Sequence, residues 1–138
     1  MPTHILDFLL DRVLVADGAM GTQIQGANLT LEDFGGQENC SEILNATRPD
    51  FIRRIHEAYL ETGCHAVKTN TFGANKVVLA EFGLESRTRE LNAAGVGLAR
   101  EVCERQARRD GQPRFVLGSM GPGTKLVTLG HADYDLLV

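Results

Sequence analysis

An α/β fold built on parallel strands is what this sequence predicts, and three observations predict it. Short apolar runs rich in β-branched residues occur three times, at residues 12–16, 66–69 and 114–117. Each run passes directly into a loop of glycine and small polar residues. Helical patterns fill the two intervals, and strand, helix, strand, helix, strand requires parallel pairing with right-handed crossovers.

Residues 12–16 read as a buried strand that ends at the turn Asp17-Gly18-Ala19-Met20-Gly21-Thr22. Residues 26–45 read as a long polar loop with a helical turn at 29–34. Thr47-Arg48-Pro49-Asp50 reads as a helix start, with Thr47 as cap, Asp50 at the capping-box offset and Pro49 in the first turn. Ile52, Ile55 and Tyr59 follow at helical spacing, and Gly63 ends that helix. The second strand leads into Thr69-Asn70-Thr71-Phe72-Gly73-Ala74-Asn75. A short helical piece at 76–82 precedes a long helix over 86–109. Leu91, Ala94, Leu98 and Val102 give the long helix one apolar stripe. Arg105, Arg108 and Arg109 crowd its last turn, where the helix dipole favours cations. The third strand ends at Gly118-Ser119-Met120-Gly121-Pro122-Gly123. Asp133-Tyr134-Asp135-Leu136-Leu137-Val138 reads as a capped helix start.

Parallel strands joined this way present their C-terminal ends on one edge, so the three glycine-rich corners are expected to converge there. That edge carries the ligands of α/β sheets and barrels. Three parallel strands neither close a barrel nor make a well-covered sheet. The expectation is therefore the front portion of a larger domain.

Composition narrows the function classes. The 138 residues are 43% hydrophobic and 23% charged, which excludes a disordered tail, a fibre and a disulfide miniprotein. A net charge of −4 gives no electrostatic reason to bind nucleic acid or an anionic membrane. No apolar run approaches the roughly 20 residues of a membrane span. Met1-Pro2-Thr3-His4 does not open a cleavable signal. The three cysteines, Cys40, Cys64 and Cys103, have neither CxxC pairing nor metal-ligand spacing, which suits free thiols and a cytoplasmic location. No zinc site is expected within the chain.

In the first corner, Asp17 is placed to pair with a ligand ammonium, and its glycines let backbone N–H groups approach; an Asp capping a turn is the plainer alternative. The second corner offers hydroxyls and N–H groups to a carboxylate, or forms a buried hydrogen-bonded turn. Gly118-Ser119-Met120-Gly121-Pro122-Gly123-Thr124-Lys125 misses a phosphate loop: Thr124 separates the last glycine from Lys125, Pro122 removes an N–H, and no helical pattern follows. A rigid site turn reads better than a nucleotide cradle. His56 is expected to be a satisfied packing residue. Cys64 and His65 fall on the face opposite the corners, and only Cys40 sits in a loop that reaches the ligand face.

Together, Asp17-Gly18-Ala19-Met20-Gly21-Thr22, Thr47-Arg48-Pro49-Asp50 with Ile55-His56 and Tyr59, Thr69-Asn70-Thr71-Phe72-Gly73-Ala74-Asn75, and Gly118-Ser119-Met120-Gly121-Pro122-Gly123-Thr124-Lys125-Leu126 with Leu129-Gly130-His131 resemble the homocysteine S-methyltransferase family. The last motif resembles its cobalamin-dependent members most. The resemblance covers residues 13–137. It implies a (β/α)8 TIM barrel, of which residues 1–138 are the N-terminal portion, about three βα units, truncated before the zinc-ligand strands. It implies transfer of a methyl group to the sulfur of homocysteine to make methionine. Three cysteines of later strands would hold zinc, and methylcobalamin, recharged from methyltetrahydrofolate on separate modules, would donate the methyl group. Asp17, Gly18 and Thr71 are the implied substrate-binding residues. The chain then holds no catalytic residue and no metal ligand, and is inactive alone. The family often has Asn before the Glu of the first long loop, where this sequence has Ser41 before Glu42, so the resemblance assigns Glu42 no role. The alternatives are a cobalamin-independent methyltransferase using betaine or S-methylmethionine, a non-catalytic fragment or interaction module, and a phosphate-binding half barrel.

Overall fold

Two strands, β1 (Ala66–Lys68) and β2 (Phe115–Leu117), pair in parallel with Ala66 opposite Phe115, Val67 opposite Val116 and Lys68 opposite Leu117. A computed structural model describes residues 4–136; Met1, Pro2 and Thr3 of the expected non-signal start lie outside the described residues. Around this small sheet stand α1 (Ile5–Asp11), α2 (Met20–Gln25), α3 (Leu44–Thr47), α4 (Pro49–Glu61), α5 (Lys76–Ala80) and α6 (Thr88–Asp110). The parallel α/β arrangement matches the expectation for the second and third strands. The first expected strand, residues 12–16, is reduced to a single parallel bridge between Ala16 and Ala66.

The reason lies in its neighbours. His65 and Ala66 N–H groups donate to the Val15 carbonyl at 2.7 and 3.2 Å, and the Asp17 N–H donates to Ala66 at 2.9 Å, so one side of the segment is tied to β1. Among the described residues no strand pairs with its other side. Val13 is 81% and Val15 50% exposed, so the expected burial is absent. β-Branched residues extend the chain here, but a strand needs ladder partners to be completed.

The core forms where α4 and α6 pack over β1. Leu60, Cys64, Val67, Ala99, Val102 and Cys103 make one buried cluster. Ile24, Leu44, Ile52, Ile55 and Leu98 make the next, and Cys40, Ile43, Leu79 and Leu91 a third. The α6 face therefore runs through Gly95 and Ala99 as well as the large residues, while the expected Ala94 is only half-buried. Gly111, at φ 70°, caps α6 in the left-handed conformation that glycine adopts without strain. Pro49 opens α4 at a position whose N–H the helix does not need.

Thr47 does not cap α4. It is still helical, as the last residue of α3, so its hydroxyl turns back to donate to the Ile43 carbonyl at 3.1 Å. The cap position falls to Arg48, which makes no side-chain cap bond and instead pairs with Asp50 and Asp33. The expected polar loop at 26–45 is polar only in its first half. Cys40, Ile43 and Leu44 are buried, carried inward by a 3-10 turn at Ser41–Ile43 and by α3. Helix α1 adds an element that periodicity does not announce. His4 caps it, and Phe8 packs its ring against His65 and Phe115, with centroids 5.0 and 5.4 Å away. At the other end, the expected helix start at 133–138 is a 3-10 turn at Tyr134–Leu136, with Leu137 and Val138 outside the described residues. Among the described residues no helix is long and apolar enough to cross a membrane.

His56 is packed as expected but is not satisfied: it is fully buried, and neither ring nitrogen has a hydrogen-bond partner among the described residues. Burial pushes its pKa below the ordinary 6.5, against a smaller upward pull from Asp17. The unfolded chain takes up this proton near pH 6.5 and the folded chain resists it. Stability is therefore full above that pH and falls as the pH drops below it, by at most about 1.4 kcal/mol per pH unit. Urea midpoints between pH 7 and 5 are expected to show this decline, and His56→Leu to remove it. A decline that survives the substitution would assign the acid sensitivity elsewhere.

Candidate functional site

The corners that follow Ala16, β1 and β2 border one cavity of about 400 Å³. Gly18 comes from the first corner, Lys68, Asn70 and Phe72 from the second, and Ser119 from the third. Glu42 enters from the long loop. The convergence expected from connectivity is thus present, and each corner is held by its own set of bonds.

In the first corner, Asp17 is buried, its side chain 1% exposed. Its Oδ2 accepts the Lys68 N–H at 3.0 Å, and the Lys68 ammonium lies 2.8 Å from Oδ1. The same ammonium donates to the Asp17 carbonyl at 2.8 Å. The carboxylate is therefore turned onto β1 rather than into the cavity. Gly18 meets a packing demand. A Cβ there would sit 2.9 Å from the Tyr59 hydroxyl, which donates to the Ala19 carbonyl at 2.8 Å and fixes the corner to α4. The turn expected at 17–22 becomes helical from Met20, because Ile24 gains a buried place beside Leu44 and Ile52.

In the second corner, Thr69, Asn70 and Thr71 are all buried. The Asn70 amide donates to the Ser41 carbonyl at 2.8 Å and to Asn45 Oδ1 at 3.1 Å. Thr71 donates its one hydroxyl proton to the Ser119 carbonyl at 2.8 Å. The 2.6 Å contact between the Thr69 and Thr71 hydroxyls must then be donated by Thr69. Thr69 in turn accepts the Ser119 N–H at 3.0 Å, so two threonines lock the second corner to the third. Thr71 is thus a stitch between corners.

The third corner is joined once more where the Gly121 N–H donates to the Phe72 carbonyl at 2.9 Å. A Cβ at Gly121 would stand 2.6 Å from that oxygen, a clash that only glycine avoids. A 3-10 turn at Val127–Leu129 follows, and among the described residues no α-helix does, so the segment lacks the helix N-terminus of a phosphate loop.

Glu42 is the site residue that sequence reasoning missed. It is buried, and its Oε1 accepts the Gly73 N–H at 2.8 Å. The signal was the helical spacing of Cys40, Ile43 and Leu44 around it, which carries the loop inward. None of the three cysteines lines the cavity. Cys40 belongs to one core cluster, and Cys64 and Cys103 to another. Burial pushes the Cys103 thiol up to about 12, far from the thiolate a metal would need. Among the described residues no three His, Cys, Asp or Glu side chains come together to hold a metal ion, so the residues present do not fit a zinc site.

The family model for homocysteine S-methyltransferase matches residues 14–137. Methionine synthase of Mycobacterium tuberculosis is 53% identical over 135 residues, which are 98% of this chain and 11% of that protein. The crystal structure of the homocysteine methyltransferase MmuM from Escherichia coli in its oxidised form superposes with a TM-score of 0.70 at 29% identity, covering 86% of this chain and 41% of that one. Its metallated form gives 0.69 at 30% identity, over 85% and 41%. The chain spans about a tenth of the methionine synthase and two fifths of MmuM. A match over nearly all of its length places the chain in the homocysteine S-methyltransferase family.

Proposed function

We propose that residues 1–138 form the first part of a homocysteine-binding (β/α)8 barrel and supply its substrate rim. The enzyme that carries them transfers a methyl group to the sulfur of homocysteine, giving methionine. The observation that carries this reading is the meeting of three corners on one cavity in a chain of this family. Identity of 53% to a methionine synthase, against 29% to MmuM, supports the methionine synthase reading, and the closing motif at 118–131 suggests the cobalamin-dependent type over a betaine or S-methylmethionine enzyme.

In this reading Asp17, Gly18 and Thr71 are the substrate-side residues. Asp17 fixes the charge pair at the rim, Gly18 lets the first corner seat on α4, and Thr71 holds the second and third corners in register. Zinc, held by residues outside this chain, would favour the thiolate of homocysteine, the nucleophile in methyl transfer. Cobalamin and methyltetrahydrofolate belong to further modules. Free buried thiols suit a cytoplasmic location.

The test is a pair of methyl-transfer assays. The isolated 138-residue chain is expected to be inactive. In the enzyme that carries it, Asp17→Ala is expected to raise KM for homocysteine about tenfold or more, because the first corner loses its buried charge pair with Lys68. Transfer by the isolated chain above background, abolished by Asp17→Ala, would overturn the proposal.

A further inference from the structure

We infer that α1 is the floor of the barrel, and that the leucine face it leaves bare seats the N-terminal ends of the barrel's later strands. This rests on the (β/α)8 reading above. It gives a place to a helix that the family model, which matches from residue 14, does not include.

Helix α1 is fixed at the end of the sheet away from the cavity. Phe8 is 2% exposed, and its ring meets His65, just before β1, and Phe115, which opens β2. Both contacts are at strand N-terminal ends, whereas the cavity lies past the C-terminal ends. The anchor uses only one edge of the helix. Asp7 and Asp11, four residues apart, share its polar side, and the other five residues are Ile, Leu or Phe. At 3.6 residues per turn the apolar ones follow one another around the axis in the order Phe8, Ile5, Leu9, Leu6, Leu10. Exposure climbs in that same order. Ile5 is partly buried, Leu9 is 48% exposed, Leu6 62% and Leu10 82%. The apolar face therefore runs on well past the contact that anchors it.

One exposed leucine is ordinary, but three side by side on a short helix mark a covered surface. The chain beside them is open too. Val13 and Val15 are exposed, and only one side of their segment is tied to β1 among the described residues. MmuM shares this chain's fold over 41% of its own length, so that fold continues beyond the part shared here. Parallel barrel strands all start at one mouth, the mouth across which Phe8 anchors α1. The later strand starts are thus the apolar groups brought to the free leucines. A second copy is a poor occupant. A seven-residue helix offers a face about 10 Å long, well short of the roughly 800 Å² per partner of a stable interface.

The experiment is thiol labelling of the enzyme that carries this chain, in the single variants Leu6→Cys, Leu10→Cys, Asp7→Cys and Val13→Cys. Labelled peptides are read by mass spectrometry, on samples that keep methyl transfer. Positions 6 and 10 are expected to label about tenfold or more slowly than position 7, because a covered thiol reacts only on local opening. Val13→Cys reports the barrel itself and is expected to be equally slow. Protection at Val13 with free labelling at Leu6 and Leu10 would overturn the floor and leave the barrel standing. Free labelling at Val13 would remove the barrel and this inference together. Protection at Leu10 that fades as the enzyme is diluted would assign the face to a second copy and overturn the inference. A benzophenone amino acid in place of Leu10 identifies the occupant without a thiol. Capture of a peptide from the later strands of the same barrel is expected, and capture of one from any other module would overturn the assignment.

Discussion

Gly95→Ala is expected to destabilise the chain, while Gly97→Ala, two residues further along the same helix, is expected to stabilise it. Both glycines lie inside α6, where replacement by alanine is worth about 1 kcal/mol in helix propensity. Space decides the sign. A Cβ at Gly97 meets nothing within 4 Å, so that gain is kept. At Gly95 it would stand 2.7 Å from Thr71 Cγ2 and 2.8 Å from Asn45 Nδ2. Neither neighbour gives way cheaply. The Thr71 hydroxyl holds Ser119, and the Asn45 amide holds the carbonyls of Asn70 and Leu91. Overpacking costs about 1–3 kcal/mol, and each disturbed buried hydrogen bond about 1 kcal/mol more. The propensity gain is outweighed, and a net loss of about 1–3 kcal/mol is expected. Thermal melts should therefore move in opposite directions for the two variants. A Gly95→Ala melting point at or above wild type would show that Thr71 and Asn45 are free to shift.

That contrast also shows what the sequence made legible. Periodicity places α6 and its inner face, because one stripe of apolar residues must meet the core. It cannot say that Gly95 is needed for close approach and Gly97 is not, since both are glycine in a helix. The convergence of the corners was readable because parallel connectivity alone fixes which strand ends share an edge. The first strand was misread for the opposite reason. Residues 12–16 have the local character of a strand, but strands are completed by partners, and among the described residues only β1 stands beside them. Asp17 was visible as a carboxylate at a corner, yet its direction depended on Lys68, 51 positions away. Glu42 and Asn45 were hidden in a segment that looked polar overall. Their burial follows from tertiary contacts of Cys40, Ile43 and Leu44 with α5 and α6.

Asn45→Leu is expected to have the larger effect on stability. Asn45 is buried in α3 and its amide donates to Asn70 O at 2.8 Å and Leu91 O at 3.2 Å, while its Oδ1 accepts from the Asn70 amide at 3.1 Å. Leucine fills similar volume, so little cavity forms, and the loss falls on the polar groups left behind. Leu91 lies within α6 and keeps its helical setting, and the Asn70 amide keeps Ser41. The Asn70 carbonyl loses the partner given above and is stranded under α3. Unmaking these bonds and stranding one buried carbonyl should cost about 2–4 kcal/mol. The second corner should loosen at the same time, because Asn70 lies two residues after Lys68 and one before Thr71. Asn45→Asp separates hydrogen bonding from shape. The ionised aspartate has no proton to donate and carries a buried charge, whereas the protonated acid can donate once. Burial should raise its pKa in the folded chain above the ordinary value near 3.9. The folded variant then binds the proton more tightly than the unfolded one, so its stability relative to wild type is greatest below about pH 4 and falls as the pH rises. Denaturant titrations of Asn45→Asp and wild type, compared at pH 4 and pH 7, are expected to show a wider gap at pH 7. An equal gap at both would mean that Asn45 acts through shape alone, and that the bonds to Asn70 and Leu91 hold nothing in place.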